Sequence, residues 1–178
     1  MAKEKADALV VFGVTGDLAH KKIFPALQGL VKHGTLDVPV IGVARGGSGV
    51  EGLRERIRDS LEESGDGVDE ASLSRLTKLV RYVDGDYREP QTFAALREAL
   101  GSAKHPLHYL ALPPSLFATV ADALRESGSA DGASVVVEKP FGRDLASALE
   151  HNEALHRSFD EPSVYRIDHY LGKESVQN

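Results

Sequence analysis

The sequence predicts an α/β fold: a doubly wound, Rossmann-type parallel sheet with helices on both faces. Three observations predict it. Apolar runs of strand length recur along the 178 residues, a stretch with helical periodicity follows each run, and a glycine-spaced turn follows the first. Alternation of strands and helices implies right-handed crossovers between parallel strands. Because the runs are nearly continuous in Val, Ile, Leu and Ala, they suit strands that are covered on both faces.

The elements follow one another in a regular order. Strands are predicted at 8–14, 38–45, 81–87, 106–113, 133–140 and 163–168. Helices are predicted at 19–34, 50–63, 69–80, 89–101, 114–127 and 144–159. Pro25 falls early in the first helical stretch, so that helix is expected to kink or to start late. Asp144 is expected to cap the N-terminus of the last helix.

Composition excludes several classes of protein. The net charge of −6 argues against a nucleic-acid binder, which should be basic overall. No apolar run approaches the roughly 20 residues that span a bilayer, and the N-terminal run has no signal-peptide pattern. The chain has no cysteine, which fits a reducing compartment such as the cytoplasm and leaves no thiolate for a metal site. No metal site is predicted.

The turn after the first strand has the spacing of a dinucleotide site. Gly13, Gly16 and Ala19 follow the strand directly. The first glycine permits a tight turn, the second lets the backbone approach a pyrophosphate, and the alanine permits close packing of helix on strand. Asp17 is expected to cap the helix and to face away from the phosphates. The alternative is a glycine-rich connection in a fold that binds no nucleotide.

Arg45 lies at the end of the second predicted strand, in "GVARGG". In this fold an acidic residue there binds the ribose 2′-hydroxyl of NAD, whereas an arginine accommodates the 2′-phosphate of NADP. A guanidinium is suited to that task because it can donate two parallel hydrogen bonds to a phosphate. The sequence therefore favours NADP, with use of NAD still open. The alternative is a solvated arginine.

Two further groups of residues carry chemistry near the C-terminal end. Lys139 ends a strand before Pro140, where a lysine can orient a sugar hydroxyl or neutralise a phosphate. His169, Tyr170 and Lys173 would form a sugar-phosphate site if a helix begins there, because helix N-termini bind anions. Asp168 is suited to orient a general-base histidine. The other histidines are expected mostly on solvated faces, and none of them is identifiable as that base.

Taken together, these motifs resemble a known family. "GVTGDLAHKK", "GVAR", "YLALPP", "VVEKPFGRDL" and "YRIDHYLGKE" stand in the order found in glucose-6-phosphate dehydrogenases. The resemblance covers residues 8–178 and implies an NADP-dependent enzyme that oxidises glucose 6-phosphate to 6-phosphogluconolactone, the first step of the pentose phosphate pathway.

The resemblance also implies roles for individual residues. The coenzyme phosphates would lie against the turn formed by Gly13, Val14, Thr15, Gly16, Asp17, Leu18 and Ala19. Arg45 would hold the 2′-phosphate, and Asp86 and Tyr87 would lie near the adenine. Lys139 would touch both substrate and nicotinamide. His169, Tyr170 and Lys173 would bind the sugar phosphate, while Asp168 would pair with the catalytic histidine.

The sequence departs from the family in two respects. Phe117 stands where many members have tyrosine, which removes a possible polar contact with the coenzyme. Residues 1–178 correspond to the coenzyme domain ending in the sugar-phosphate motif. In the family a C-terminal domain supplies the base histidine and the surface for homo-oligomers. The resemblance therefore implies coenzyme binding with little turnover by these residues alone.

Two alternative functions stay open at this point. One is a stand-alone NADP-binding or interaction module. The other is a sugar oxidoreductase of the wider group that carries the same Glu-Lys-Pro lysine. A short-chain dehydrogenase is disfavoured, because its Tyr-x-x-x-Lys pair is missing: Lys173 follows Tyr170 by only three positions.

Overall fold

The computed structural model describes residues 5–141 and 144–167, and within them a single parallel sheet forms the centre of the fold. Its strands are β1 (Ala8–Phe12), β2 (Val40–Ala44), β3 (Val80–Asp84), β4 (Pro106–Leu110), β5 (Ser134–Glu138) and β6 (Val164–Ile167). They lie in the order β3-β2-β1-β4-β5-β6, and every neighbouring pair is parallel. The predicted fold class is confirmed.

Helices cover both faces of this sheet. They are α1 (Phe24–Lys32), α2 (Gly49–Glu63), α3 (Glu70–Leu79), α4 (Pro90–Leu100), α5 (Phe117–Glu126) and α6 (Leu145–His156). One apolar cluster unites α1, α2 and α3 with one face, and a second unites α4, α5 and α6 with the other. Adjacent residues of β1 serve the two clusters in turn: Val11 joins the first, whereas Val10 and Phe12 join the second.

Several strands are shorter than the apolar runs predict. β1 ends at Phe12 because Gly13 turns the chain, and β3 ends at Asp84, so that residues 85–87 belong to a loop. Such loops at strand ends are where ligands bind in open α/β sheets. No helix in the ranges 5–141 and 144–167 is long and apolar enough to cross a membrane.

The first helical stretch is irregular ahead of Pro25, where the sequence predicts a kink or a late start. Residues 19–23 form a π-helical turn, in which the N–H of Phe24 donates to the carbonyl of Ala19. The α-helix then begins at Phe24 and places Pro25 in its first turn. Proline has no N–H group to continue a regular helical ladder, and the π-helical turn is the irregularity that precedes it.

Asp144 caps α6, which confirms the prediction made for it. Its carboxylate accepts a hydrogen bond from the N–H of Ser147 at 2.8 Å, and the Ser147 hydroxyl accepts one from the N–H of Asp144 at 3.1 Å. This reciprocal pair satisfies two main-chain donors that the helix itself leaves unpaired.

His108 is an exception to the expectation of solvated histidines. It lies in β4, is fully buried, and places Nε2 2.8 Å from the carbonyl oxygen of Ser129. Burial lowers the pKa of His108 to about 4, although the hydrogen bond to Ser129 opposes the shift. His108 is therefore a neutral core residue at pH 7.

The reversal of strand order lies between β1 and β4. Asp7 closes the start of this pair, since its carboxylate accepts the N–H groups of Lys104 at 2.7 Å and His105 at 2.9 Å. Partial burial of Asp7 opposes ionisation, but these N–H groups still lower the pKa of its carboxyl group. The crevice at the opposite, carboxyl end of β1 and β4 is where a dinucleotide binds in this topology.

Candidate functional site

The glycine turn lies in the crevice at the carboxyl end of β1. Gly13 has a φ of 78°, in the left-handed region that favours glycine. A Cβ atom on Gly13 would stand 2.2 Å from the carbonyl oxygen of Ala111, in the loop after β4. The N–H of Gly16 donates to the carbonyl of Gly13 at 2.9 Å and closes the turn, while Thr15 is exposed at its tip. A ligand that enters the crevice therefore meets main-chain atoms.

Apolar side chains anchor the turn from below. Val14 is 2% exposed and Ala19 is fully buried, both in the cluster under α1 and α2, and Leu18 packs at its margin. Only the backbone of Val14 and Ala19 is therefore left to face a ligand. The helix that starts here adds the partial positive charge of its N-terminus.

The prediction that Asp17 caps the first helix is wrong. Asp17 lies within the helical turn, and its carboxylate pairs with Lys21 Nζ at 3.4 Å. The side chain of Asp17 is 89% exposed, so the helix meets solvent on this side. The residue lies one position too late to act as a cap, because its own backbone is already helical.

Arg45 and Asp86 come together beside this turn. Arg45 leaves the end of β2, and its Nη1 donates to the Asp86 carboxylate at 3.1 Å. The N–H of Arg88 and, secondarily, the Arg45 guanidinium lower the pKa of the Asp86 carboxyl group. The side chain of Arg45 is 77% exposed, so Asp86 orients it while most of its donors remain open to an anion.

Tyr87 ties the glycine turn to β2. Its hydroxyl accepts a hydrogen bond from the N–H of Gly13 at 2.9 Å and donates one to the carbonyl of Val43 at 3.0 Å. The ring packs edge-on against Phe12, and burial raises the pKa of Tyr87. The loop that holds Arg45 through Asp86 thus also holds Gly13 through Tyr87.

Lys139 follows β5 at the same end of the sheet. The strand ends at Glu138, Lys139 is exposed, and the bond from Lys139 to Pro140 is cis. Because β5 is parallel to β4, its carboxyl end opens on the crevice that contains the glycine turn. This placement agrees with a role at the junction of coenzyme and substrate, which stays a prediction.

The remaining predicted site residues lie outside the described part of the chain. They are Asp168, His169, Tyr170 and Lys173. The last described residue, Ile167, ends β6 opposite Glu138. Phe117 is described: it is 2% exposed and packs edge-on against the His151 ring. Its ring therefore serves the core.

Three residues at this end of the sheet were missed by sequence reasoning. Asp84 accepts the N–H of Gly46 at 2.8 Å, and the Tyr82 hydroxyl donates to Ala44 at 3.1 Å. Both shape the loop after Arg45. Both lie on β3, next to β2, and Asp84 ends that strand, which is a signal that would have found them.

Arg56 is the third, and it lies on α2. Its Nη2 donates to the carbonyl of Gly16 at 3.4 Å. Helical spacing places Arg56 three residues after buried Leu53 and four before buried Ser60, and therefore beside the buried stripe of the helix. This spacing indicates that Arg56 lies beside the core, but it does not indicate a ligand.

The chain matches one family model over nearly its whole length. The model describes the NAD binding domain of glucose-6-phosphate dehydrogenase and matches residues 10–178. Glucose-6-phosphate 1-dehydrogenase 1 of Mycobacterium tuberculosis is 43% identical over 171 residues, which are 96% of this chain and 36% of that protein. The Saccharomyces cerevisiae enzyme is 42% identical over 188 residues, covering 98% of this chain and 37% of the yeast protein.

Solved structures give the same result. The glucose-6-phosphate 1-dehydrogenase of Mycobacterium avium superposes with a TM-score of 0.91 at 39% identity, over 98% of this chain and 38% of that one. A glucose-6-phosphate dehydrogenase in complex with its substrate glucose 6-phosphate gives a TM-score of 0.85 at 38% identity, over 100% and 40%. The chain thus spans between a third and a half of the length of these relatives.

Proposed function

The chain belongs to the glucose-6-phosphate dehydrogenase family, and we propose that it binds NADP and one side of glucose 6-phosphate for that family's reaction. The full reaction yields 6-phosphogluconolactone and NADPH. It needs a base histidine, which the resemblance places outside residues 1–178, so we assign little turnover to these residues alone. Three relatives are named as cytoplasmic enzymes, which supports a cytoplasmic location for this one.

The placement of Arg45 is the observation that carries the choice of NADP. An arginine at the end of β2 accommodates a 2′-phosphate, whereas the acidic residue that would bind a free 2′-hydroxyl is not at that position. Asp86 orients the guanidinium at 3.1 Å and so reduces the freedom that Arg45 would lose on binding. The tight turn proposed to carry the pyrophosphate requires glycine at position 13, because a Cβ there would stand 2.2 Å from the carbonyl oxygen of Ala111.

Each described residue would have a defined task in the reaction. The turn from Gly13 to Ala19 would hold the pyrophosphate with main-chain N–H groups and the helix N-terminus. Lys139 would orient the sugar where C1 meets the nicotinamide. When bound, the nicotinamide accepts at its C4 the hydride that leaves C1. The proton of the C1 hydroxyl goes to the base, which Asp168 is proposed to orient.

Titration calorimetry on the 178-residue chain tests this function. We expect NADP to bind more tightly than NAD, and Arg45→Ala to weaken NADP binding about 10- to 100-fold while leaving NAD binding nearly unchanged, since only the 2′-phosphate contact is lost. Arg75→Ala, an exposed arginine on α3, is the matched control. Equal affinity for NAD and NADP, or no binding of either, would refute the proposal.

A separate titration with glucose 6-phosphate tests the substrate side. Binding that weakens in Lys139→Ala would support the sugar-phosphate assignment. Tight NADP binding with no sugar binding would instead favour a coenzyme-binding module. NADPH formation by the purified 178-residue chain at a rate ordinary for dehydrogenases would contradict the expected need for an outside base.

A further inference from the structure

A cavity of about 460 Å³ separates the glycine turn from the loop between β2 and α2. One wall is Thr15 of the turn, another is the loop Gly46–Gly49, and a third is α2, which contributes Arg56. The loop begins directly after Arg45. In this topology the adenosine ribose lies between the first turn and the end of β2. The cavity is therefore placed to receive a group attached to that ribose.

The guanidinium of Arg56 is held but not saturated. Its Nη2 donates to the carbonyl of Gly16 at 3.4 Å, which fixes the group against the glycine turn. Its Nε is buried and has no hydrogen-bond partner among the residues at 5–141 and 144–167. A guanidinium has five N–H groups, and the contact with Gly16 uses one of them. The remaining donors suit an oxyanion.

Hydroxyl groups complete one end of the cavity. The Thr15 and Ser48 side chains both line it. Ser48 precedes α2 without using its side chain as a helix cap, so its hydroxyl remains available. Two hydroxyls, a guanidinium and a glycine-rich backbone are the groups that bind phosphate in proteins.

Carboxylates line the rest of the cavity. They are Glu55, Asp59 and Glu63. Glu63 pairs with His20 Nε2 at 2.9 Å. These three groups repel an anion, so the positive charge of Arg56 is what allows an anion to bind at the glycine-rich end of the cavity. Loss of its charge would leave the anion facing carboxylates alone on this side.

We propose that Arg56, with the Thr15 and Ser48 hydroxyls, acts together with Arg45 to bind the 2′-phosphate of NADP. The inference rests on the proposed function and adds a specificity-determining residue from a different element. Arg45 approaches from the end of β2 and is oriented by Asp86, whereas Arg56 approaches from α2 and is oriented by Gly16. Both guanidinium groups are thus set in place before the coenzyme arrives.

Paired titrations with NADP and NAD test this inference. In Arg56→Gln we expect NADP to bind about 10-fold more weakly and NAD to bind unchanged. The slope of NADP affinity against salt should also decrease, because one charge contact is lost. Arg58→Gln is the matched control: it lies on the same helix but pairs with Glu70 at 2.9 Å, away from the cavity. An NADP-to-NAD ratio within twofold of wild type in a folded Arg56→Gln protein would overturn the inference.

A measurement on the unaltered chain covers the case in which Arg56→Gln does not fold. The Nε–H signal of Arg56, assigned by its disappearance in Arg56→Lys, should move in NMR spectra on addition of NADP and stay in place with NAD. No difference between the two coenzymes would overturn the inference. A preference for NADP that depends on Arg45 but not on Arg56 would leave the proposed function intact, whereas no preference at all would refute that function itself.

Discussion

Replacing Tyr87 with Phe removes a single oxygen atom from the joint between the glycine turn and β2. The hydroxyl makes two hydrogen bonds, to the N–H of Gly13 at 2.9 Å and to the carbonyl of Val43 at 3.0 Å. These two main-chain groups also bind each other at 3.0 Å. The change therefore leaves neither main-chain group without a hydrogen-bond partner, so the free energy of unfolding carries no added penalty for a buried unpaired polar group.

The expected loss of unfolding free energy follows from the two hydrogen bonds of the hydroxyl. Each hydrogen bond contributes about 1 kcal/mol net, so Tyr87→Phe should lower the free energy of unfolding by about 2 kcal/mol. For a chain of this size such a loss lowers the melting temperature by roughly 4–8 °C. Tyr82→Phe is the control. Its hydroxyl donates once, to Ala44 at 3.1 Å, and its loss should lower the unfolding free energy by about 1 kcal/mol.

Urea unfolding of the two variants measures the difference directly. Tyr87→Phe should also weaken the binding of NADP and of NAD to the same extent, because both coenzymes share the pyrophosphate that is proposed to face Gly13. A Tyr87→Phe protein as stable as Tyr82→Phe would refute the idea that the hydroxyl pins the turn. A selective loss of NADP binding would place Tyr87 at the 2′-phosphate instead.

Two further predictions concern Gly13 and His108. Gly13→Ala should reduce NADP affinity at least about 100-fold in titrations, because its Cβ would clash with Ala111. Gly34→Ala is the control, since Gly34 has a similar φ of 70° with open space around it, and this variant should bind NADP normally. NADP affinity of Gly13→Ala within threefold of wild type would contradict the prediction. The pKa of His108 is about 4 in the folded chain and 6.5 when unfolded. Its contribution to the free energy of unfolding is therefore complete above pH 6.5 and is lost towards pH 4, by up to about 3 kcal/mol. In His108→Gln, urea unfolding across that range should show a shallower fall of stability with decreasing pH, and identical slopes in both proteins would contradict the assignment.

The fold was predictable because its signals are local. Runs of Val, Ile, Leu and Ala predict buried strands, and the glycine turn predicts the crevice at their ends. Asp144 also determines its helix start through local chemistry, since it carries a short acceptor, and Pro25 lies where the π-helical turn gives way to the α-helix. Strand ends were less predictable: the apolar run of β1, for example, continues past Gly13 to Val14 although the strand ends at Phe12.

The details of the candidate site depended on tertiary contacts. The predicted strand at 106–113, covered on both faces, contains His108, but the sequence does not identify the carbonyl of Ser129 as the partner of its ring. The contact of Arg56 with Gly16 joins residues 40 positions apart, and the two bonds of Tyr87 join loops that meet only in the folded sheet. Asp17 shows the opposite failure: its residue type suits a cap, but the helix begins one residue too early for it.

The position of β1 has a consequence for synthesis of the chain on the ribosome. Strands β1 to β3 can pair as soon as residue 84 has emerged from the ribosome. The second neighbour of β1 is β4, which is synthesised later, and Lys104, the hydrogen-bond partner of Asp7, follows it by 97 positions. During that interval the face of β1 that carries Phe12 has no cover from α5, and one edge of the strand is unpaired. We expect nascent chains in this length range to be the ones that chaperones hold and that aggregate most readily.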